Sequence, residues 1–95
     1  MPSRADTNQA PIVAALRAAG CAVHIESAHR GHKFDLLVCL AGRITLMEVK
    51  RRGGRLTEDE LEFGLSFPVA RVETVEEALR EVGLMWRDAR ELRVR

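Results

Sequence analysis

Phe34-Asp35-Leu36-Leu37-Val38-Cys39-Leu40, then Ala41-Gly42-Arg43, then Ile44-Thr45-Leu46-Met47-Glu48-Val49-Lys50 is the stretch that decides the fold. Two apolar runs of strand length flank a connection too short for anything but a tight turn. They are therefore expected to be antiparallel neighbours in one sheet. Each run carries an acid, Asp35 early in the first and Glu48 late in the second, so pairing across the turn brings the two acids together. Because strand side chains alternate between faces, Glu48 and Lys50 share a face, roughly 6.5 Å apart along it, while Val49 points into a core. Two carboxylates and an ammonium then converge at the mouth of the sheet. Two acids for a hard divalent cation and a lysine beside an attacked phosphate can cleave a phosphodiester. An acid at the end of a nearly all-apolar strand costs stability unless it is paired or functional.

Upstream, residues 7–19 read as an amphipathic helix, with Ile12, Val13, Leu16 and Ala19 at helical spacing, Pro11 in its first turn and Gly20 closing it. Cys21 to Glu26 reads as a strand, and Ser27 to Lys33 as a polar loop. Downstream, Arg51 to Leu56 is a basic, glycine-containing loop. Thr57-Glu58-Asp59-Glu60 matches a capping box and opens a helix carrying Leu61, Phe63, Leu65 and Phe67, stopped before Pro68. Val69 to Val72 reads as a short buried strand. Thr74-Val75-Glu76-Glu77 reads as a second capping box, opening a helix that ends at Gly83, and residues 84–95 as a possible helical continuation. The expected class is α/β with the order α-β-β-β-α-β-α, the helix between the third and fourth strands allowing those two to run parallel in a mixed sheet.

A chain of 95 residues has room for one domain with one modest core. Hydrophobic residues make up 46%, enough to fold, and the 31% that are charged point to a soluble surface. No apolar stretch reaches the roughly 20 residues of a membrane helix. Met1-Pro2-Ser3-Arg4-Ala5-Asp6 lacks the apolar centre of a signal peptide, so a cytoplasmic location is expected. Cys21 and Cys39 read as small buried hydrophobes in a reducing compartment. The net charge of +1 announces no nucleic-acid partner, but its distribution does more. Lys50, Arg51, Arg52 and Arg55 cluster where the second acidic strand ends, beside the candidate phosphate site, which turns them toward phosphate contacts. Arg87, Arg90, Arg93 and Arg95 crowd the C-terminus.

Asn8-Gln9-x-x-Ile12-Val13-x-x-Leu16-x-x-x-Gly20, Asp35-Leu36-Leu37-Val38, Gly42-Arg43, Glu48-Val49-Lys50 and Leu56-Thr57-x-Asp59-x-x-x-Phe63 together resemble the small phage and bacterial nucleases of the VRR-NUC group. These belong to the PD-(D/E)xK superfamily, with Holliday-junction resolvases and restriction endonucleases. The resemblance covers about residues 8–82 and implies a single nuclease domain with a restriction-endonuclease-like core. It implies that Asp35 and Glu48 bind Mg²⁺ or Mn²⁺, with the Val49 carbonyl as a further ligand. Lys50 would orient or help deprotonate the attacking water. The chain departs from the family pattern at three places. Phe34 stands where Pro usually precedes the first acid, which alters backbone and not a ligand. Glu60 stands where Gln is common, and reads either as an extra acid at the site or as the capping partner of Thr57. Gln9 stands where related resolvases place a helix-borne Glu; it can hold water or phosphate but supplies no charge.

Ser27 and Lys33 lie in the loop that approaches DNA in related resolvases and are candidate nucleic-acid contacts, together with Gln9, Arg51, Arg52 and Arg55. His24, His29 and His32 match no zinc spacing and read as loop and surface residues. Trp86 reads as a docking or dimer-interface anchor. The implied activity is a divalent-metal-dependent DNA endonuclease acting on branched DNA. A chain this short has little surface for reading bases, which favours recognition of shape and backbone. Cutting two strands at a branch points to a homodimer, with the stripe Met85, Ala89 and Leu92 in its interface. A catalytically silent nucleic-acid-binding module of the same fold and an RNA or single-strand nuclease are the rival readings.

Overall fold

The computed structural model describes residues 6–84. Within them run α1 (Asp6–Ala18), β1 (Ala22–Ile25), a 3₁₀ turn (Glu26–Ala28), β2 (Leu36–Leu40), β3 (Arg43–Val49), α2 (Glu58–Ser66), β4 (Val69–Val72) and α3 (Val75–Glu81). The result is a small α/β domain with one four-stranded mixed sheet, ordered β1-β2-β3-β4. The first three strands are antiparallel neighbours, and β4 lies parallel to β3. The expected C-terminal continuation and its Met85, Trp86, Ala89 and Leu92 lie outside the described residues.

Local chemistry sets the element ends. α1 closes on Gly20, whose φ of +100° lets Gly20 N–H reach the Arg17 carbonyl and Cys21 N–H reach that of Leu16. Both bonds are those of a Schellman cap. The hairpin between β2 and β3 turns on two residues, Ala41 (φ +52°) and Gly42 (φ +82°), with Leu40 already paired to Arg43. Positive φ at both central positions matches the right-handed twist of the strands. Arg43 therefore belongs to β3 and not to the turn. Pro11 is not in the first turn of α1 either, because the helix starts at Asp6 and places the ring inside it.

α1 and α3 lie together on one face of the sheet. Between helices and sheet sit Ile12, Leu16, Leu36, Val38, Met47, Val49 and Val72, all essentially inaccessible to water. The other face carries the alternate residues, Leu37 and Cys39 of β2, Ile44, Leu46 and Glu48 of β3, and Val69 and Arg71 of β4. No residue of α2 is buried: Leu61 is 54% and Leu65 87% exposed. What holds the helix is the Thr57–Glu60 capping box at its start and a stack of Phe34, Phe63 and Phe67 along its side, with centroids 5.9 and 4.5 Å apart. β4 is only half buried apart from Val72 and carries an exposed Arg71. At α3 the Thr74 hydroxyl accepts from Glu77 N–H, but the Glu77 carboxylate accepts from Glu73 N–H, so the reciprocal half of the expected box shifts one residue upstream. None of the described helices is long and apolar enough to cross a membrane.

Candidate metal and phosphate site

The hairpin register decides where the acids fall. Leu36 pairs with Met47, which puts Asp35, one residue outside β2, opposite Glu48. Asp35 N–H donates to the Met47 carbonyl at 2.9 Å, continuing the ladder past the strand end. Both carboxyls lie on the face that α1 and α3 leave open, yet both are buried, Asp35 7% and Glu48 4% exposed. Asp35 is fixed from three sides. Its Oδ2 accepts the Val49 N–H at 2.8 Å, its Oδ1 lies 3.7 Å from His32 Nε2, and its carbonyl accepts the N–H groups of Glu26 and Ser27.

Lys50 and Glu60 complete the group. The Lys50 ammonium lies 3.0 Å from Glu60 Oε1 and 3.6 Å from Glu48 Oε2. Glu60 Oε1 also accepts Thr57 N–H at 2.8 Å, so capping the helix and pairing with the lysine are two jobs of one side chain. Of the two readings of Glu60, the structure supports the cap in full and places the carboxylate in the charged group as well. α2 thus matters here less for burial than for presenting Glu60.

The electrostatics follow from placing three acids and one base together with little water. Burial pushes the Glu48 carboxyl up to about 9, and hydrogen bonding and charge from Glu60 and Asp35 add to the shift. Glu60 goes the other way, to about 2: burial alone would raise it, but the Thr57 N–H, Glu48 and Lys50 together outweigh that. Burial lowers the Lys50 ammonium, yet the hydrogen bond and charge of Glu60, with the charges of Glu48 and Asp35, leave it raised and firmly protonated. At neutral pH Glu48 keeps its proton. Three acids facing one ammonium leave the group with more acid than its own base neutralises.

The residues around this group divide clearly. Lys33 lines the same cavity of about 270 Å³, with Glu48, Glu60, Leu56, Leu61 and Arg71, between α2 and the open sheet face. Arg51, Arg52 and Arg55 are exposed on the loop that follows β3. The loop is clamped to β4: Arg71 donates to the Gly54 carbonyl at 2.5 Å and pairs with Glu73 at 2.6 Å, while Gly53 N–H donates to Glu73. The Gln9 amide donates to Ser27 Oγ at 2.9 Å, and the Ser27 N–H ties that pair to the Asp35 carbonyl at 3.1 Å. Val49 meets Asp35 through its N–H, next to the carbonyl expected to serve as a ligand.

Two residues were passed over by sequence reasoning. His32 approaches Asp35 from a loop, and a single histidine three residues before an acid gives no signal. Asn8 donates to the carbonyls of Lys50 (2.9 Å) and Glu73 (3.2 Å), tying α1 to the ends of β3 and β4 and so fixing where Lys50 leaves the sheet. Its place in the quoted motif was the available sign. No family profile, curated protein or solved structure matches the chain.

Proposed function

We propose that this chain is a divalent-metal-dependent endonuclease that hydrolyses phosphodiester bonds in DNA, branched DNA above all, on a restriction-endonuclease-like core. The observation that carries the reading is the convergence of Asp35, Glu48, Lys50 and Glu60 on one sheet face, with the Asp35 and Glu48 carboxyls both buried. Two neighbouring carboxylates of hard oxygen character fit Mg²⁺ or Mn²⁺ and would hold it between them. Bound there, the cation would supply positive charge for the phosphoryl oxygens. The remaining work falls to the chain's own groups. Lys50, held in place by Glu60, presents its ammonium beside the acids, where it orients water and steadies negative charge as it gathers on the phosphate. Glu60 positions Lys50. Lys33, which lines the cavity, and the exposed Arg51, Arg52 and Arg55 of the loop after β3 provide backbone phosphate contacts that carry no sequence information. The chain is further read as a cytoplasmic homodimer, each copy contributing one site at a branch.

The test is cleavage by the purified chain, with Mg²⁺ or Mn²⁺, of linear duplex, flap, four-way junction, single-stranded DNA and RNA of one sequence. Cutting of the branched substrates ahead of the duplex supports the reading. Preference for RNA or single strands moves the assignment to that class of nuclease. Binding of every substrate without cutting leaves a nucleic-acid-binding module.

A further inference from the structure

We propose that His24, Glu26 and His29 form a second cation site, built for Zn²⁺ or a similar transition metal and independent of the nuclease reading. In sequence the three are spaced too irregularly to announce a site. The fold gathers them: His24 projects from β1, Glu26 opens the 3₁₀ turn, and His29 follows it, with the turn folding the chain back on itself. One donor atom from each lies within 4.8 Å of the others. His24 Nε2 is already 3.0 Å from Glu26 Oε1. Tetrahedral ligands at ordinary Zn–N and Zn–O lengths stand about 3.3 Å apart, so the closest pair needs little adjustment. The imidazoles of His24 and His29 stack with centroids 5.3 Å apart and planes 16° from parallel. Aiming both nitrogens at one ion therefore requires a ring to turn, and His29, exposed and outside the turn, is free to do so.

The donor set selects the ion. Two imidazoles and one carboxylate suit Zn²⁺, Co²⁺ or Ni²⁺, whereas the all-oxygen pair of Asp35 and Glu48 suits Mg²⁺ or Mn²⁺. The open side, facing solvent, leaves room for water as a further ligand. The site is also wired to the acids. Glu26 N–H and Ser27 N–H donate to the Asp35 carbonyl at 2.8 and 3.1 Å, and His29 N–H donates to the Glu26 carbonyl at 2.9 Å. Ser27 is further tied to α1 through Gln9. An ion bridging β1 to the residue after the turn stiffens the segment on which Asp35 is seated. Its role is to brace the turn, with no part in the chemistry on phosphate.

The experiment uses the full chain stripped of metal, titrated with Co²⁺ by visible absorption and with Zn²⁺ by calorimetry. The parent and Glu48→Gln are each expected to bind one equivalent of Zn²⁺, and their Co²⁺ complexes to show the intense d–d bands of a low-coordinate, nitrogen-ligated ion. His29→Ala weakens Zn²⁺ binding by more than about tenfold and loses those bands. Zn²⁺ raises the melting temperature of the parent but not of His29→Ala. Because His24 and His29 are exposed, these variants keep the fold, which far-ultraviolet circular dichroism checks; His24→Ala gives a second, independent removal of a ligand. The proposal is overturned if Zn²⁺ does not bind, if His24→Ala and His29→Ala bind it as the parent does, or if Glu48→Gln abolishes binding. That last result would put the ion at the acidic site instead. None of these outcomes depends on whether the chain cuts DNA.

Discussion

Replacing Glu48 with glutamine is expected to stabilise the metal-free protein at neutral pH. Glu48 is 4% exposed, and its carboxyl titrates at about 9 when folded against an ordinary value of 4.5. Between those two values the folded chain binds a proton that the unfolded chain has released. The contribution is fully present below pH 4.5 and is lost as the pH rises toward 9. Each unit corresponds to about 1.4 kcal/mol, so the accumulated loss is under about 1 kcal/mol at pH 5 and about 3 kcal/mol at pH 7. Glutamine keeps the shape and hydrogen-bonding capacity of the protonated acid and has no proton to release. The variant is therefore expected to be about 3 kcal/mol more stable than the parent at pH 7 and nearly equal to it at pH 5. Urea unfolding with EDTA at pH 5, 7 and 8.5 measures the difference. A variant less stable than the parent at pH 7, or a gap that does not widen with pH, would refute the reasoning.

Three further outcomes follow from the same geometry. Because a cation between Asp35 and Glu48 requires Glu48 ionised, Mg²⁺ or Mn²⁺ binding at pH 7 is expected to release about one proton, read from calorimetry in buffers of different ionisation enthalpy. No release would mean that the ion does not displace the Glu48 proton. Arg51→Ala with Arg52→Ala is expected to weaken DNA binding alike for all sequences and to lower the slope of log K against log salt by about 2; an effect confined to one sequence contradicts backbone contact. Ala41→Asn, at a residue with φ of +52° in the hairpin turn, is expected to raise stability by about 0.5–1 kcal/mol in urea unfolding, since asparagine adopts that conformation at lower cost than alanine.

How much of this was legible in the sequence depends on whether the deciding interaction is local. Asp35 beside Glu48 follows from a short turn and a strand period of two, both readable from residues 34–50. The Thr57–Glu60 box and the Gly20 closure are equally local, each contained within a single turn of helix. α2 shows where such reading stops. Its periodicity marks an apolar side, but only the fold reveals that Leu61 and Leu65 stay exposed. The double duty of Glu60 was hidden for a related reason: a capping acid and a lysine ten residues earlier meet only because α2 leans its first turn over the end of β3. His24 and His29 match no zinc spacing in sequence and read as loop and surface residues; the 3₁₀ turn that brings them to Glu26 has no strong sequence signal. Asn8 owes its place to contacts made across the fold.

On the proposed function, Asp35, Glu48 and Lys50 act as one cation-dependent unit on a phosphodiester. Single-turnover cleavage of a four-way junction with Mg²⁺, comparing the parent with Asp35→Asn, Glu48→Gln and Lys50→Ala, tests it most directly. The parent is expected to cut and to stop in EDTA, and each variant to cut more slowly, by about a hundredfold or more, with its fold retained. Variants that cut at the parent's rate, or a parent that cuts undiminished in EDTA, would contradict it.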